Sequence, residues 1–311
     1  MSQSGSPAAV QPPGVWAVVL NYNGLRDTEM CIHSLRESGY LSLDIVVVDN
    51  ASPDGSGDAL ARLFPEIPVL RPGRNGGYGA GNNAGIRFAL ARGAKYILVV
   101  NNDVVVQKGF LEPMVGMLER DAGIGVVNGK VFYLSEPGKL FSALGEFNRW
   151  MCTGLNVGRD AAGCRSTTLE CDVDYVCGVL LLVRREVFET VGLLEESFFM
   201  YFEDVEFSRR VLKRYRLAYT ARAIAYHKSG GGKGWKSYTE LYLYYHTRNR
   251  LRVFRKESRT YRAYVAGFTI ANAAAKAAVI ARNCVSDPAK MLRQWKALWR
   301  GLTDGLIGGG E

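Results

Sequence analysis

Three short polar clusters each close an apolar run: Asn21-Tyr22-Asn23-Gly24, Asp49-Asn50-Ala51-Ser52-Pro53-Asp54-Gly55-Ser56 and Asn101-Asn102-Asp103. Asn, Asp, Ser and Gly also suit turns and helix caps, so one such cluster alone says little. Three of them, opening on the same edge of a parallel sheet, point to a shared ligand crevice. Between the second and third lies a dense glycine stretch, Arg74-Asn75-Gly76-Gly77-Tyr78-Gly79-Ala80-Gly81-Asn82-Asn83-Ala84-Gly85. Such a loop lets backbone N–H groups and a helix N-terminus approach a diphosphate. Its Gly79, Gly81 and Ala84 match G-x-G-x-x-A, with Asp103 nineteen residues further on. The dinucleotide fingerprint needs a strand running straight into the first glycine, and Val69-Leu70 stops too early, ahead of Arg71-Pro72. A nicotinamide or flavin reading is therefore set aside. Further along, Glu203 and Asp204 stand side by side behind the aromatic run Phe198-Phe199-Met200-Tyr201-Phe202. First-turn acids complementing a helix dipole are one reading of the pair. Burial by the aromatic run favours a chemical one.

The elements that must position these residues are legible in the hydrophobic pattern. Trp16–Leu20, Ile45–Val48, Val69-Leu70 and Tyr96–Val100 are apolar runs without alternation. Helical stretches separate or follow them, at Thr28–Ser38, Ala59–Leu63, Asn82–Arg92 and Phe110–Arg120. Runs of this kind imply parallel strands covered on both faces, hence an open α/β sheet that binds ligands at its strand carboxyl ends. After Gly123 the pattern changes. Ile124–Tyr133 and Leu140–Val157 read as strands and hairpins, Tyr175–Val183 as a buried strand, Glu186–Thr190 and Glu203–Tyr215 as helices, and Leu217–Tyr226 as a strand. From Ser237 the chain reads as helical to the end, with Ser229–Gly234 as a mobile loop.

The net charge of +9 over 311 residues is unevenly spread. Residues 1–200 hold 17 basic against 22 acidic side chains, and residues 201–311 hold 22 against 8. The basic character belongs to the last third, which excludes a generic polycation. Six scattered cysteines with no C-x-x-C pair fit a reducing compartment better than a disulfide framework. Residues 1–14 lack the apolar core of an export signal and read as a disordered leader. Ala263–Ala281 approaches the length of a membrane span, but Asn272 and Lys276 interrupt it, so a surface location is expected over a spanning one.

The series VVLNYNG, VVVDNASPDGS, RNGGYGAGNNAG, LVVNNDVVV, VCGVLLLVRREVFETVGLLEESFFMYFEDVEFSRR and YHKSGGG resembles glycosyltransferase family 2, in order, across roughly Val15–Gly232. Within the family it is most similar to rhamnosyltransferase-type enzymes of cell-surface polysaccharide synthesis. The resemblance implies a GT-A fold: an open, mostly parallel sheet with helices on both faces, plus a C-terminal helical extension. It also implies a nucleotide-sugar donor, Mg²⁺ or Mn²⁺, and inversion at the anomeric carbon. Asp103 matches the last acid of the family's metal-binding D-x-D motif, whose first Asp is replaced by Asn101. His227 aligns with a histidine that completes the metal shell in some relatives; a histidine packed at a strand end is the alternative. Asp49 matches the acid that binds the base, with Tyr22 and Asn23 lining that pocket. Asn50 stands where many relatives have a second acid. Arg74 and Asn75 would approach the donor. Asn21, Ser52, Gly76, Gly77, Asn82 and Asn102 complete the expected nucleotide-sugar set.

Inverting transfer needs one base to take the acceptor proton while the metal stabilises the departing diphosphate, unlike hydrolysis, which divides acid and base roles between two carboxylates. Asp204 is the first choice for that base and Glu203 the second. Relatives carry an Arg-Asn pair like Arg248-Asn249, so Arg248 would approach the diphosphate of the donor or of a lipid-linked acceptor; a solvated helix face is the alternative. Arg252, Arg255, Lys256, Arg259 and Arg262 alternate with Tyr261, Tyr264 and Phe268, and Lys290, Arg293, Lys296 and Arg300 run beside Trp295 and Trp299. That pattern fits helices on an anionic membrane surface, on the cytoplasmic face, with homodimerisation as the competing use. No base-reading motif accompanies the charge, so nucleic acid is excluded as a partner. The expected organisation is a leader (1–14), a catalytic domain (15–236, divided at 122/123 into nucleotide-binding and acceptor-binding halves) and a basic helical region (237–311). Two other functions compete. A sugar-1-phosphate nucleotidyltransferase would need a basic phosphate loop after the first strand, which Asn21-Tyr22-Asn23 is not. An inactive glycan-binding scaffold would not need Asp103 and Asp204.

Overall fold

The computed structural model describes residues 12–157, 170–228, 238–283 and 286–308. The Ser229–Gly234 loop, Ser237 and most of the leader lie outside the described residues. Twelve strands are present among these: β1 (Val15–Asn21), β2 (Leu43–Asp49), β3 (Val69–Leu70), β4 (Tyr96–Asn101), β5 (Val104–Val106), β6 (Ile124–Tyr133), β7 (Leu140–Ser142), β8 (Leu144–Asn148), β9 (Thr153–Val157), β10 (Glu170–Val173), β11 (Leu180–Arg184) and β12 (Arg216–His227). The helices are α1 (Leu25–Arg36), α2 (Ser56–Leu63), α3 (Gly77–Ala91), α4 (Leu111–Arg120), α5 (Arg185–Thr190), α6 (Glu203–Val211), α7 (Glu240–Val253), α8 (Arg259–Asn283) and α9 (Pro288–Ile307).

The main sheet runs β10-β12-β6-β11-β4-β1-β2-β3, with β5 on β12 and β7 on β6. The strands β4, β1, β2 and β3 are mutually parallel, as are β6 and β12, while β11 lies antiparallel between β4 and β6. Both faces are covered, which is why the strands are continuous valine and isoleucine runs. Val15, Ala17 and Val19 face a core shared with Ile32 and Leu35 of α1 and Met114 of α4. Val18 faces the opposite core, with Ile86 of α3 and Phe207 of α6. Register places Asn21 level with Asp49, and Leu20 level with Asn101. The three polar clusters therefore do share one edge.

Three expectations need correction. The buried strand expected over Tyr175–Val183 begins only at Leu180; the residues before it turn inward toward α6. The short strands β5 and β10 were not expected. Most consequentially, the glycine stretch is helix and not loop. Helix α3 starts at Gly77, because Gly81 and Gly85 let it lie directly on Leu20 and Val18, where a Cβ would collide with the strand side chains.

Helices α7, α8 and α9 form a separate core of Leu243, Leu251, Phe254, Val265, Ala273, Ile280, Leu298 and Leu302. Helix α8 is long and apolar enough to cross a bilayer, yet Val265, Thr269, Ala273, Lys276 and Ile280 pack into this bundle.

Candidate functional site

The strand ends build a network that faces inward as much as outward. Asn21 is fully buried: its Nδ2 donates to Asp49 Oδ1 at 2.8 Å and to Ser56 Oγ at 2.8 Å, and its Oδ1 accepts from Thr28 Oγ1 at 2.9 Å. Ser52 Oγ donates to the same Asp49 oxygen at 2.5 Å and accepts from the Asn23 backbone N–H at 3.0 Å. Asn21 thus holds Asp49 and Ser56 in place from inside the sheet edge. Tyr22 is 48% exposed and Asn23 is exposed beside it, at the mouth of the crevice. Arg74 is exposed on the approach to α3.

Asn50 and Asn75 occupy the N-terminus of α3. Asn50 Nδ2 donates to Asn75 Oδ1 at 2.9 Å and to the Gly77 carbonyl at 3.1 Å, while Asn50 Oδ1 accepts from Gly76 N at 3.3 Å and Asn75 Oδ1 from Gly77 N at 2.9 Å. The N–H groups of Gly76 and Gly77 are therefore held by Asn50 and Asn75. Asn82 is also buried, its Nδ2 donating to the Tyr78 carbonyl at 3.0 Å.

Asp103 follows β4, and the pairing of β5 with β12 sets Val104 opposite His227. This brings Asp103 Oδ1 and His227 Nε2 to 3.0 Å. Phe141 packs edge-on against the imidazole at 4.5 Å, and His227 Nδ1 is buried with no hydrogen-bond partner among the described residues. A carboxylate oxygen and an imidazole nitrogen at this spacing match two adjacent donors of an octahedral shell about 2.1 Å in radius. Both residues fit a divalent cation. Among the described residues no third His, Cys, Asp or Glu joins them. Asn102 lies alongside, its Nδ2 donating to Thr28 Oγ1 at 3.0 Å.

Glu203 and Asp204 open α6 from a loop whose Phe199, Tyr201 and Phe202 all take positive φ (62°, 68° and 72°). Side chains rarely adopt that region, and such strain persists only where surroundings impose it. The surroundings are specific. Asn249 Nδ2 donates to the carbonyls of Phe198, Met200 and Tyr201 at 2.9, 2.8 and 2.8 Å. Arg248 donates to the carbonyls of Ser197 and Phe198 at 2.7 and 3.0 Å. Tyr78 N donates to the Phe199 carbonyl at 2.5 Å. Asn83 Nδ2 holds Leu194 O at 2.8 Å and Glu196 Oε1 at 2.9 Å. Arg248 is 5% exposed, and its Nη2 is the atom that holds this loop, while its Nε donates to Asn249 Oδ1 at 2.9 Å.

Within this frame Asp204 Oδ2 accepts from Tyr175 Oη at 2.5 Å and Gly178 N at 3.2 Å, and Oδ1 accepts from Val205 N at 2.8 Å. A carboxylate has about four acceptor positions, so one on Oδ1 remains for an incoming hydroxyl. Burial pushes the Asp204 carboxyl up, and the three donors oppose that by favouring its ionised form. Glu203 is pushed higher, to about 8, by burial and by Asp204, and its Oε2 has no partner among the described residues. Glu203 therefore holds its proton at neutral pH, while Asp204 is the carboxyl whose charged form the three donors favour. Burial and the nearby carboxylates push Tyr175 and Tyr78 well up, so both stay as donors. The Tyr78 hydroxyl donates to the Gly178 carbonyl at 2.5 Å and feels Glu203, Asp204 and Asp103 together. It links the two ends of the crevice.

The family model for glycosyl transferase family 2 matches residues 16–192. The chain belongs to glycosyl transferase family 2. Its fold is GT-A. Among curated relatives of this glycosyltransferase, it is 24% identical over 250 residues to the dTDP-rhamnosyl transferase RfbF of Shigella flexneri, covering 78% of this chain and 80% of that one. It is 26% identical to the N-acetylglucosaminyl-diphospho-decaprenol L-rhamnosyltransferase of Mycobacterium tuberculosis (63% and 69%) and 28% identical to the hexosyltransferase Agl10 of Haloferax volcanii (62% and 60%). The glycosyltransferase thus spans about 60% of the length of Agl10. The fold is similar to that of GalNAc-T7 with UDP, GalNAc and Mn²⁺, with a TM-score of 0.62 at 16% identity, over 81% of this chain and 49% of that one. It is also similar to the mannosyltransferase PcManGT from Pyrobaculum calidifontis in complex with GDP-Man and Mn²⁺ (0.58, 16% identity, 99% and 91%).

Sequence reasoning missed Tyr78, Asn83, Tyr175, Gly178 and Asn249. Asn249 had a signal, as partner of Arg248 in the pair. Tyr175 had none, since its segment reads as strand.

The carboxyl pair also makes stability depend on pH. Glu203 holds its proton in the folded state above the 4.5 of an ordinary glutamate. Between about pH 4.5 and 8 the folded state binds more protons than the unfolded one, so stability falls as pH rises through that window. Glu203→Gln removes the titrating group. Thermal melting should show the variant matching the parent at about pH 4.5 and exceeding it most above about pH 8. An equal difference at both ends contradicts the protonated assignment.

Proposed function

We propose that this chain is a metal-assisted, inverting glycosyltransferase. It moves a deoxyhexosyl or hexosyl group from a nucleotide-diphosphate donor, dTDP-rhamnose or a UDP-sugar, to a hydroxyl of a lipid-linked cell-surface glycan. The observation that carries the reading is Asp204: one buried carboxylate that accepts three hydrogen bonds and keeps one acceptor position open. Asp204 Oδ1 takes the acceptor proton as the oxygen attacks the anomeric carbon. Asp49, with Tyr22 and Asn23 at the mouth, binds the nucleoside, and Arg74 lies on the donor's approach. Asp103 and His227 would hold Mg²⁺ or Mn²⁺, which when bound neutralises charge on the leaving diphosphate. The rhamnosyl and decaprenol-linked chemistry of the similar proteins supports the choice of donor and acceptor class. Exposed Leu292, Trp295, Trp299, Leu306 and Ile307 on α9, among Lys290, Arg293, Lys296 and Arg300, support peripheral attachment to an anionic cytoplasmic membrane face.

The test is a panel of nucleotide sugars with Mn²⁺, read by thermal shift and donor turnover, with and without EDTA. One donor should stabilise the protein selectively and EDTA should abolish its turnover. His227→Ala should raise the Mn²⁺ concentration needed for half-maximal turnover by about tenfold or more. Turnover unchanged by EDTA contradicts the metal, and no donor response contradicts the function.

A further inference from the structure

A second cationic group lies apart from the strand-end crevice. Lys276 on α8 and Arg250 on α7 are each only 5% exposed. Lys276 Nζ, Arg250 Nε and His246 Nδ1 are buried with no hydrogen-bond partner among the described residues. Aromatic faces knit the three together. Lys276 Nζ lies 4.8 Å from the Tyr242 ring and 5.8 Å from Tyr238. The His246 ring is 4.7 Å from Tyr242 and 5.1 Å from Phe202. The Arg250 guanidinium is 5.8 Å from Phe202 and 5.3 Å from Phe268.

Among the described residues this group has no acidic partner. His246 feels Lys276 and Arg250 as repulsion, Lys276 feels Arg250, and the charge-bearing neighbours of Arg250 are Tyr242 and Cys152, neutral as they stand. Burial and that repulsion push Lys276 down to about 7 and His246 well below its usual value. Aromatic faces recover part of the desolvation of a cation, but a buried cation without an anion is among the least favourable arrangements a fold keeps.

We infer that His246, Arg250 and Lys276 form an anion site for the phosphate ester of the acceptor, a sugar joined through its anomeric diphosphate to a prenyl chain. This rests on the glycosyltransferase reading above. The diphosphate of such an acceptor offers four non-bridging oxygens to the three nitrogen-bearing side chains, where a carboxylate offers two. The donor's diphosphate belongs with Asp103 and His227 on the sheet, whereas this group is built on α7 and α8. Phe202 packs against both His246 and Arg250 and directly precedes Glu203 and Asp204, so the site adjoins the carboxyl pair through this ring. Tyr201, 37% exposed and packed on Tyr242 at 5.5 Å, borders the solvent-facing side.

The test is thermal melting of the full chain in EDTA, with farnesyl diphosphate and, in a separate arm, inorganic diphosphate. Farnesyl diphosphate should raise the melting temperature by about 5 °C at a hundredfold excess over its Kd. Lys276→Met should melt above the parent without ligand, since a chain of similar shape replaces an uncompensated charge, and it should lose the farnesyl diphosphate response. Its stabilisation by nucleotide sugar with Mn²⁺ should persist. Arg250→Gln reads the same ligand response should Lys276→Met fail to fold. An undiminished farnesyl diphosphate response in the folded variants overturns the site. A ligand-free Lys276→Met that folds but melts below the parent overturns the uncompensated charge, and protection by inorganic diphosphate alone overturns the lipid-linked acceptor. Absence of a nucleotide-sugar response in the parent is a separate result, counting against the function and not against this site.

Discussion

Asp204→Asn lowers kcat by about 10³-fold while the donor's Kd stays within about twofold, because the variant loses the proton acceptor and keeps the shape. The amide oxygen can still accept from Tyr175 and Gly178, which hold Oδ2 in the parent, and only the bond from Val205 N, inside α6 itself, is lost. The loop and α6 therefore stay in place, and the loss is chemical. Asp204 is offset from the strand-end residues, so donor stabilisation in a thermal-shift assay should be retained. The rate should also follow one ionisation on the acid side, as protonation of Asp204 removes the base. Near-normal turnover by Asp204→Asn moves the base elsewhere, with Glu203 the next candidate. Glu203→Gln should retain most activity, since that carboxyl already carries a proton at neutral pH.

Asn249→Ala should be the most damaging change outside the carboxylates. One amide nitrogen serves three carbonyls in a segment with three side-chain residues at positive φ. Each lost hydrogen bond to a buried carbonyl costs about 1 kcal/mol, giving roughly 3 kcal/mol in total and a fall in melting temperature of about 5–10 °C. Release of the loop also shifts Asp204, and a displacement of about 1 Å is enough for a loss near 10²-fold in kcat. Because the donor residues sit on other elements, KM for the nucleotide sugar should change little. Asn249→Asp supplies the control: it preserves the Oδ1 that accepts from Arg248 Nε at 2.9 Å but removes the donor to the loop. It should resemble the alanine variant in kcat. A fall in stability with kcat intact would reduce Asn249 to a structural role.

The sheet and its edge were legible because parallel strands write themselves as unbroken apolar runs and because register carries their polar ends to one side. Asp49, Asp103, His227 and the Glu203-Asp204 pair stand at positions the sequence pattern already marked. What the sequence concealed was direction. Asn21, Asn50, Asn82 and Arg248 have the chemistry of ligand contacts, yet a side chain's type does not say whether its donors point out to solvent or back to the chain. The glycines misled for a related reason: a Gly-rich stretch suits an open loop and a helix pressed on a strand equally well, and Val18 and Leu20 decide between them. Tyr175 and Asn249 act across 29 and about 50 residues of chain on Asp204 and the 198–201 carbonyls, and no local pattern encodes a contact of that span.

The grip of α7 on the 197–201 carbonyls also bears on how the molecule can be cut. A protein ended after β12 would keep every strand of the main sheet, Asp49, Asp103 and the acids themselves, and would look complete by motif. It would nevertheless lack the amide and guanidinium that hold the base in register. Shortened versions prepared for crystallisation or for pairing with a foreign acceptor module should therefore bind nucleotide sugar and fail to transfer it, unless the boundary is drawn beyond Val253.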